Sequence, residues 1–297
     1  MTQSQEHFPL LLSVPSGYPE KSIKKVQEAY QKMAKKMIEL SGFSLPQMPS
    51  IVLCKNHKDM ESLAGEDLPD WALGIAIPSQ YLVTINLSKV DAISNNLYAV
   101  IRHETCHLYL GIWEKKYKKT LPLWLNEGIA QCVSGALHWT YQEDILESIA
   151  LKKILPFSSL KHSFPKAERK AKQAYLQSRS MVGYMLENYG TSSIKYLLNS
   201  YATQDSFDIA IEKTLGIDFP TLEAEWKTTI TPTSWWLWFW QLSHLFSLFT
   251  IMALLVLIAY WRQQYKAKKL LDAWKEEEIR ELLNQQQPKF HIVRDEE

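Results

Sequence analysis

The sequence predicts an α+β fold for the first 230 residues, with a small mixed sheet followed by helices, and one transmembrane helix near the C-terminus. Short apolar runs bounded by turn residues fall before residue 90, and helical spacing of apolar side chains dominates after it. A long apolar stretch without charged residues lies near the end of the chain. The 297 residues are 46% hydrophobic, which is enough for one large or two modest globular domains.

The predicted strands are short, and the predicted helices are mostly amphipathic. The strands are expected at Phe8–Val14, Ile51–Cys54, Leu73–Ile77 and Tyr81–Leu87. Pro19 suits the first turn of a helix, and apolar side chains three or four residues apart extend that helix to about Leu40. The later helices are predicted at Val90–Gly111, Pro122–His138, Tyr141–Lys153, Lys166–Asn188, Ser192–Tyr201, Phe207–Leu215 and Thr221–Thr228.

The segment Leu242–Trp261 is predicted to cross a membrane. It has no charged residue, and its length as a helix matches the roughly 30 Å of a bilayer's hydrocarbon core. Aromatic residues lie at both of its ends, as is typical of the interfacial belts of a spanning helix. The chain is therefore divided into a domain at 1–230, a Trp-rich juxtamembrane segment at 231–241, the span at 242–261 and a charged helical tail at 262–297.

Charge asymmetry around this span predicts its orientation in the cell membrane. Basic residues follow Trp261 closely, and none lies between Thr228 and Gln241, so the tail is expected in the cytoplasm and the domain outside. The first residues lack the basic and apolar regions of a signal peptide, which argues for the opposite orientation. The tail has helical spacing and balanced charge, which make it a candidate for binding a protein partner.

Composition excludes several classes of function. The net charge is +1, from 33 basic and 32 acidic side chains, so no overall positive field favours nucleic acid, and we expect no nucleic-acid partner. The three cysteines, Cys54, Cys106 and Cys132, are too few and too scattered for a disulfide framework. Only 10 glycines are present, which disfavours a glycine-rich phosphate-binding loop.

The predicted helix at 90–111 contains the HExxH motif His103-Glu104-Thr105-Cys106-His107. Because the two histidines are four residues apart, both rings leave the same helix face and can bind one ion. Neutral imidazole is a good zinc ligand, and Glu104 is placed to reach a water on the zinc rather than the zinc itself. Such polar groups are costly to bury in an apolar helix unless they have partners.

A third ligand is predicted on the next helix. A catalytic zinc ion needs three protein ligands and one open position for water. Glu127 is a lone acid in the apolar segment Leu121–Ala130, and the polar loop Glu114–Thr120 lets the chain turn back toward the histidines. A carboxylate in such surroundings favours a cation as its partner. The sequence therefore predicts a zinc centre that includes Glu127.

The sequence HETCH followed by WLNEGIA resembles the gluzincin metallopeptidases, the group that includes thermolysin and the membrane-type aminopeptidases, and in particular the small bacterial peptidase-MA-like proteins. The resemblance covers most of residues 8–230 and implies a minimal gluzincin catalytic domain. It implies that His103, His107 and Glu127 are the zinc ligands and that Glu104 is the general base. The spacing from His107 to Glu127 is one residue longer than is usual in the aminopeptidase branch.

The same resemblance suggests how substrate is held. In the aminopeptidase branch, a tyrosine at the position of Tyr175 stabilises the transition state, and its hydroxyl can donate to the oxyanion. Tyr184 and Tyr189 are alternatives on the same helical run, and Tyr175 could instead be a packed aromatic residue. Leu73–Ala76 would be the edge strand that binds an extended peptide. No glutamate lies near it to hold a free amine, which argues against strict aminopeptidase action and leaves an endopeptidase or another specificity open.

The predicted function is that of a membrane-anchored zinc-dependent peptidase that acts on peptides or proteins through a zinc-activated water, with Glu104 as general base. The alternative is a membrane-anchored protein whose zinc site binds a partner without hydrolysis. Glu104 favours the enzyme, since a structural zinc site does not need a base beside it.

Overall fold

The computed structural model describes residues 8–70, 72–90, 96–135, 154–230 and 234–285. Its contacts divide the chain into two compact units, residues 1–231 and residues 232–297. The first unit combines a small mixed sheet with many helices, which confirms the predicted α+β fold.

Four strands form the sheet of the first unit, in the order β1-β2-β4-β3. The strands are β1 (Leu11–Ser13), β2 (Ser50–Cys54), β3 (Gly74–Ile77) and β4 (Leu82–Asn86). Strands β1, β2 and β4 are parallel, and β3 pairs antiparallel with β4. All five residues of β4 are buried, as expected for a strand covered on both faces. Because β3 lies at the edge, every second peptide group of this strand faces away from β4.

Helices surround the sheet and make up most of the first unit. Their bounds are α1 (Glu20–Ser41), α2 (His57–Ala64), α3 (Asn96–Tyr117), α4 (Leu123–Ser134), α5 (Glu168–Asn188), α6 (Ser193–Thr203), α7 (Phe207–Leu215) and α8 (Phe219–Ile230). Short 3₁₀ turns at Pro78–Gln80 and Phe157–Leu160 connect some of these elements.

Helix α3 lies in the core and is apolar on several faces. Leu97, Ile101, Leu110 and Trp113 are completely buried, although they point in different directions around the helix. Helix α1, strands β3 and β4, and helix α4 pack around it. Since a helix that is apolar all round is stable only when surrounded by protein, this sequence forces the HExxH motif into the interior.

Helices α4 and α5 approach each other at a glycine. A Cβ atom added to Gly128 would lie 2.5 Å from the backbone oxygen of Ser178 and 2.5 Å from Cγ2 of Val182, far inside van der Waals contact. The absence of a side chain at Gly128 therefore lets the two backbones pack closely. This contact brings α5 next to the part of α4 that contains Glu127.

Several boundaries differ from those predicted. Helix α3 continues to Tyr117 rather than ending at Gly111, because Lys115 and Lys116 favour the negative end of the helix dipole and extend its last turn. Helix α2 was not predicted, although Asn56 caps it by accepting a 2.9 Å hydrogen bond from the Asp59 N–H. The helix predicted at Tyr141–Lys153 lies outside the described residues.

The second unit consists largely of helix α9 (Ser234–Gln285), whose side chains are described from Thr250 to Glu277 and at Arg280. Among the residues that the structure describes, no helix has an apolar stretch long enough to cross a membrane.

The predicted transmembrane helix is therefore wrong, and so is the predicted single-pass location in the cell membrane with the domain outside and the tail inside. The side chains of 231–249, which include the predicted Trp-rich segment and the first part of the predicted span, lie outside the described residues. The described side chains of the predicted tail are exposed.

Candidate active site

A cleft of about 650 Å³ opens beside the HExxH motif. One wall consists of strand β3 and the residues that precede it, from Leu68 onward. Helix α5 also lines the cleft, together with helices α3 and α4, and we call β3 and α5 its walls and α3 and α4 its floor. Most of the exposed lining is apolar, and the polar groups of His103, Glu104, His107 and Glu127 are concentrated on the floor. An apolar cleft with a few converging polar groups is typical of a binding or catalytic site.

The two histidines of α3 face each other across one helical turn. The Nε2 atoms of His103 and His107 are 3.0 Å apart, and the two rings meet edge to face with centroids 4.5 Å apart. Each side chain retains less than a fifth of its exposure. The structure therefore brings together the pair of imidazoles that the four-residue spacing predicted, with both Nε2 atoms directed at one point.

Glu127 on α4 completes this cluster. Its Oε2 atom lies 3.4 Å from Nε2 of His107 and 3.6 Å from Nε2 of His103. These three ligand atoms form a triangle in which every side is between 3.0 and 3.6 Å. A tetrahedral zinc ion with bonds of about 2.0–2.1 Å separates its ligand atoms by about 3.3 Å, so the triangle has the size of one face of such a site.

Hydrogen bonding in the cluster is incomplete without a cation. Nδ1 of His107 is 2.7 Å from Oδ1 of Asn126, which fixes that ring with Nε2 toward the cluster. In contrast, the buried Oε2 of Glu127 has no hydrogen-bond partner among the described residues, and neither has Nδ1 of His103. A buried carboxylate oxygen without a donor is costly, and a metal ion would compensate this cost. The donor set of two imidazoles and one carboxylate also suits zinc.

The charges of the cluster are strongly coupled. Burial disfavours a charge on His107, but the neighbouring Glu127 carboxylate outweighs burial and raises the pKa of His107 to about 9. Burial also opposes ionisation of Glu127, but His107 and His103 outweigh it and hold the pKa of Glu127 well below its usual value. Glu127 is thus an anion that attracts positive charge, whether as a proton or as a metal ion.

Glu104 lies beside the cluster and contacts the edge strand. Its side chain is 8% exposed, and its carboxylate accepts a hydrogen bond from the backbone N–H of Ala76. Burial raises the pKa of Glu104, and the nearby Glu127 carboxylate adds to this, while the two histidines oppose it. A carboxyl group whose proton affinity is raised at the edge of a cleft can accept and return a proton during a reaction.

Tyr175 of α5 lines the cleft, and the carboxylates of Glu127 and Glu104 are close enough to affect the pKa of its hydroxyl. Burial, followed by the carboxylates of Glu127 and Glu104, raises its pKa, so the hydroxyl keeps its proton and can donate it in a hydrogen bond. The alternatives lie elsewhere: the hydroxyls of Tyr184 and Tyr189 both donate to Glu225, and that of Tyr201 donates to the backbone oxygen of Thr120.

Further residues that the sequence did not single out hold α4 in place. Nε of Arg102 donates to the Ser134 backbone oxygen at 2.6 Å, and Nζ of Lys36 donates to that of Val133 at 2.9 Å. Both cations stabilise the last carbonyls of α4. At its other end, Glu114 accepts a 2.6 Å hydrogen bond from the Leu121 N–H. The signal in the sequence for Arg102 was its position directly before His103 of the motif.

The cysteines are not part of the cluster. Cys106 is buried, and burial raises the pKa of its thiol, which keeps it protonated. The Cys132 thiol donates to the backbone oxygen of Arg179 at 3.5 Å, and burial also raises its pKa, to about 11. Both are free thiols, so they act as packed side chains.

Comparison with known proteins shows to which family the chain belongs. No curated protein matches the sequence. Among solved structures, an M1 zinc metallopeptidase mutant from Deinococcus radiodurans shares 15% identity and aligns with a TM-score of 0.40. The alignment covers 74% of this chain and 47% of the other, so this chain spans about half the length of that enzyme. Residues 28–232 match the sequence model of the peptidase MA superfamily, and the chain therefore belongs to that superfamily.

Proposed function

We propose that the protein is a zinc-dependent peptidase and that the reaction takes place on the floor of the cleft. The observation that supports this most strongly is the triangle formed by the Nε2 atoms of His103 and His107 and Oε2 of Glu127, with sides of 3.0–3.6 Å. These three residues would hold the zinc ion. When bound, it would lower the pKa of its water ligand to about 7 and polarise the scissile carbonyl.

Glu104 is proposed as the general base. It follows the first histidine in the motif, lines the cleft and is close enough to His103, His107 and Glu127 for their charges to affect its pKa. Its raised pKa favours the transfer of a proton from the attacking water to the carboxylate. The same carboxyl group then returns the proton to the leaving amine, so that Glu104 ends the cycle as it began.

Tyr175 is proposed to stabilise the oxyanion that forms when water adds to the peptide carbonyl. Its hydroxyl is protonated, because burial and the two neighbouring carboxylates raise its pKa. A protonated hydroxyl in a partly buried site is a strong hydrogen-bond donor to a developing negative charge. The ring is held by Phe164, with centroids 4.9 Å apart and the planes nearly perpendicular.

A peptide in extended conformation is the substrate class that fits this cleft. The N–H and C=O of Gly74 and the C=O of Ala76 face away from β4 and can bond to an added strand, while the Ala76 N–H is bonded to the general base. Most of the exposed lining of the cleft is apolar, which favours apolar substrate side chains, although α5 also contributes Glu168, Lys172 and Arg179. Strand β3 has no carboxylate of its own to hold a free amine, so we propose an endopeptidase rather than a strict aminopeptidase.

The proposal is tested by metal removal and return with a mixed peptide library. The full chain is assayed as purified, after chelation and after addition of one equivalent of zinc, and products are identified by mass spectrometry. We expect cleavage that disappears with chelation and returns with zinc. Zinc binding without any cleavage would contradict the proposal and favour the alternative of a zinc-site protein that binds a partner.

A further inference from the structure

Gly74, the first residue of β3, packs directly against the side chain of Glu104. A Cβ atom added to this glycine would lie 2.9 Å from Cγ of Glu104, 2.8 Å from Cδ1 of Ile85 and 3.0 Å from the backbone oxygen of Thr84. Carbon atoms in van der Waals contact are about 3.5–4.0 Å apart, so no side chain fits between the strand and Glu104.

Space, and not backbone conformation, explains the glycine. Gly74 is not among the residues with positive φ, so an alanine could adopt its backbone conformation without strain. The glycines at Gly42, Gly65 and Gly216 are different, because each ends a helix in the left-handed region and has open space around it. Gly74 is needed because it lacks a Cβ atom, and not because of its backbone conformation.

This close approach determines where the Glu104 carboxylate lies. With no Cβ at Gly74, the stem of Glu104 rests on the strand, and its carboxylate reaches the N–H of Ala76 two residues farther along. Residues 74 and 76 are on the same face of β3, since side chains alternate along a strand. The first therefore makes room for the stem, and the second binds the carboxylate.

A second glycine contact fixes the other end of the strand. A Cβ atom added to Gly111 of α3 would lie 2.3 Å from Cγ of Pro78, the residue that follows β3. The strand thus touches α3 at Glu104 near its start and at Gly111 just past its end. Because both ends are in contact, β3 cannot move away to accept a side chain at residue 74 without disturbing the packing at Pro78.

We propose that Gly74 is a positioning residue for Glu104, which keeps the carboxylate on the Ala76 N–H and directed at the reacting water. The inference rests on the proposed function of Glu104 as general base. A methyl group at residue 74 would displace the Glu104 stem, while His103, His107 and Glu127 would stay in place because the atoms nearest to the methyl group belong to Glu104, Ile85 and Thr84. The expected loss is therefore in turnover and not in zinc binding.

The test is Gly74→Ala in the full chain, measured for zinc affinity, thermal unfolding, kcat and KM. We expect zinc affinity to be retained and kcat to fall by about 100-fold, the effect that a displacement of about 1 Å can have on a catalytic group. A matched pair, Ile85→Val and Gly74→Ala with Ile85→Val, removes the Cδ1 atom that the new methyl group would meet. It should restore the stability of Gly74→Ala without restoring kcat.

Three outcomes would overturn the inference: unchanged kcat in Gly74→Ala, recovery of kcat with Ile85→Val, or a loss of kcat that follows a loss of zinc. A wild-type chain without peptidase activity would instead contradict the proposed function. Crystal structures of wild type and Gly74→Ala then still decide the inference, which requires Glu104 to leave the Ala76 N–H in the variant. A Glu104 side chain that keeps its position would overturn it.

Discussion

The floor of the cleft and its two walls are built in different ways. On the floor, α3 and α4 supply three ligand atoms that lie within 3.6 Å of one another, and hydrogen bonds to Asn126, Ser134 and Leu121 hold these helices and rings. On the walls, β3 and α5 approach the floor at Gly74 and Gly128, where a Cβ atom would not fit. The floor thus depends on specific polar partners, and the close approach of the walls requires that these two positions have no side chain.

This difference separates two kinds of effect. Changes to His103, His107, Glu127 or Asn126 should alter metal binding, because these groups either point at the ion site or orient one that does. Changes at Glu104 and on the walls should leave the metal in place and alter turnover, because these groups act on the substrate or on the attacking water. The following variants test this separation.

Glu127→Ala should have the largest effect. It removes the anion that balances the two histidines, and zinc content should fall from about one ion per chain to near zero, together with all peptide hydrolysis. Metal analysis after dialysis against dilute zinc measures this. Glu225→Ala, which removes a carboxylate that accepts hydrogen bonds from the Tyr184 and Tyr189 hydroxyls, is the control and should keep zinc. Full zinc content in Glu127→Ala would rule out this ligand.

Tyr175→Phe tests the α5 wall. The ring remains packed on Phe164 and only the hydroxyl is lost, so kcat should fall by about 10²–10³-fold through loss of one oxyanion donor. Steady-state kinetics of the zinc-loaded variant measures the change, with zinc content unaffected. Tyr184→Phe is the matched control, since its hydroxyl bonds to Glu225 away from the cleft. Equal kcat values for Tyr175→Phe and wild type would exclude the hydroxyl from the reaction.

Asn126→Ala tests the orientation of one ligand. Its amide oxygen is 2.7 Å from Nδ1 of His107, and loss of such a partner lowers metal affinity by about 10–100-fold. Competition with a fluorescent chelator measures the affinity. Asn188→Ala removes an exposed amide that bonds to the Tyr184 backbone oxygen, and it should bind zinc as wild type does. An affinity for Asn126→Ala equal to that of wild type would show that this bond does not orient the ring.

A change of one pH unit should have the smallest effect, and the quantity that it changes is the affinity for zinc. Zinc must displace a proton from His107, whose pKa is raised to about 9 in the metal-free protein. Affinity should therefore rise with pH by about tenfold per unit and level off near pH 9. An ordinary imidazole would give no dependence above its usual pKa of about 6.5. Titrations across this window, in buffers that do not bind zinc, decide between the two, and a flat profile would contradict the coupling to Glu127.

The sequence predicted the floor of the cleft well because its signals are local. Residues four apart on one helix share a face, so His103 and His107 could be paired without a structure. Glu127 was expected nearby because a lone acid in an apolar helix needs a cation. The bond between Asn126 and His107 was missed, although a polar residue next to the third ligand was a visible signal.

The walls could not be predicted in the same way. The role proposed for Gly74 depends on the distance between β3 and α3, and no spacing within the sequence encodes that distance. The resemblance favoured Tyr175 but left Tyr184 and Tyr189 as alternatives, and the structure shows the hydroxyls of the latter two bonded to Glu225. The membrane span was predicted from composition alone and was wrong, since no helix of the described residues is long and apolar enough to cross a membrane.

The most direct test of the central claim compares wild type with Glu104→Gln at matched zinc content. Glutamine keeps the shape of the side chain and cannot accept the proton from water, so the variant should bind zinc normally and cleave a library-derived peptide about 10²–10⁴-fold more slowly. Equal cleavage rates for the two proteins would show that Glu104 is not the base, and the proposed reaction at this site would then be wrong.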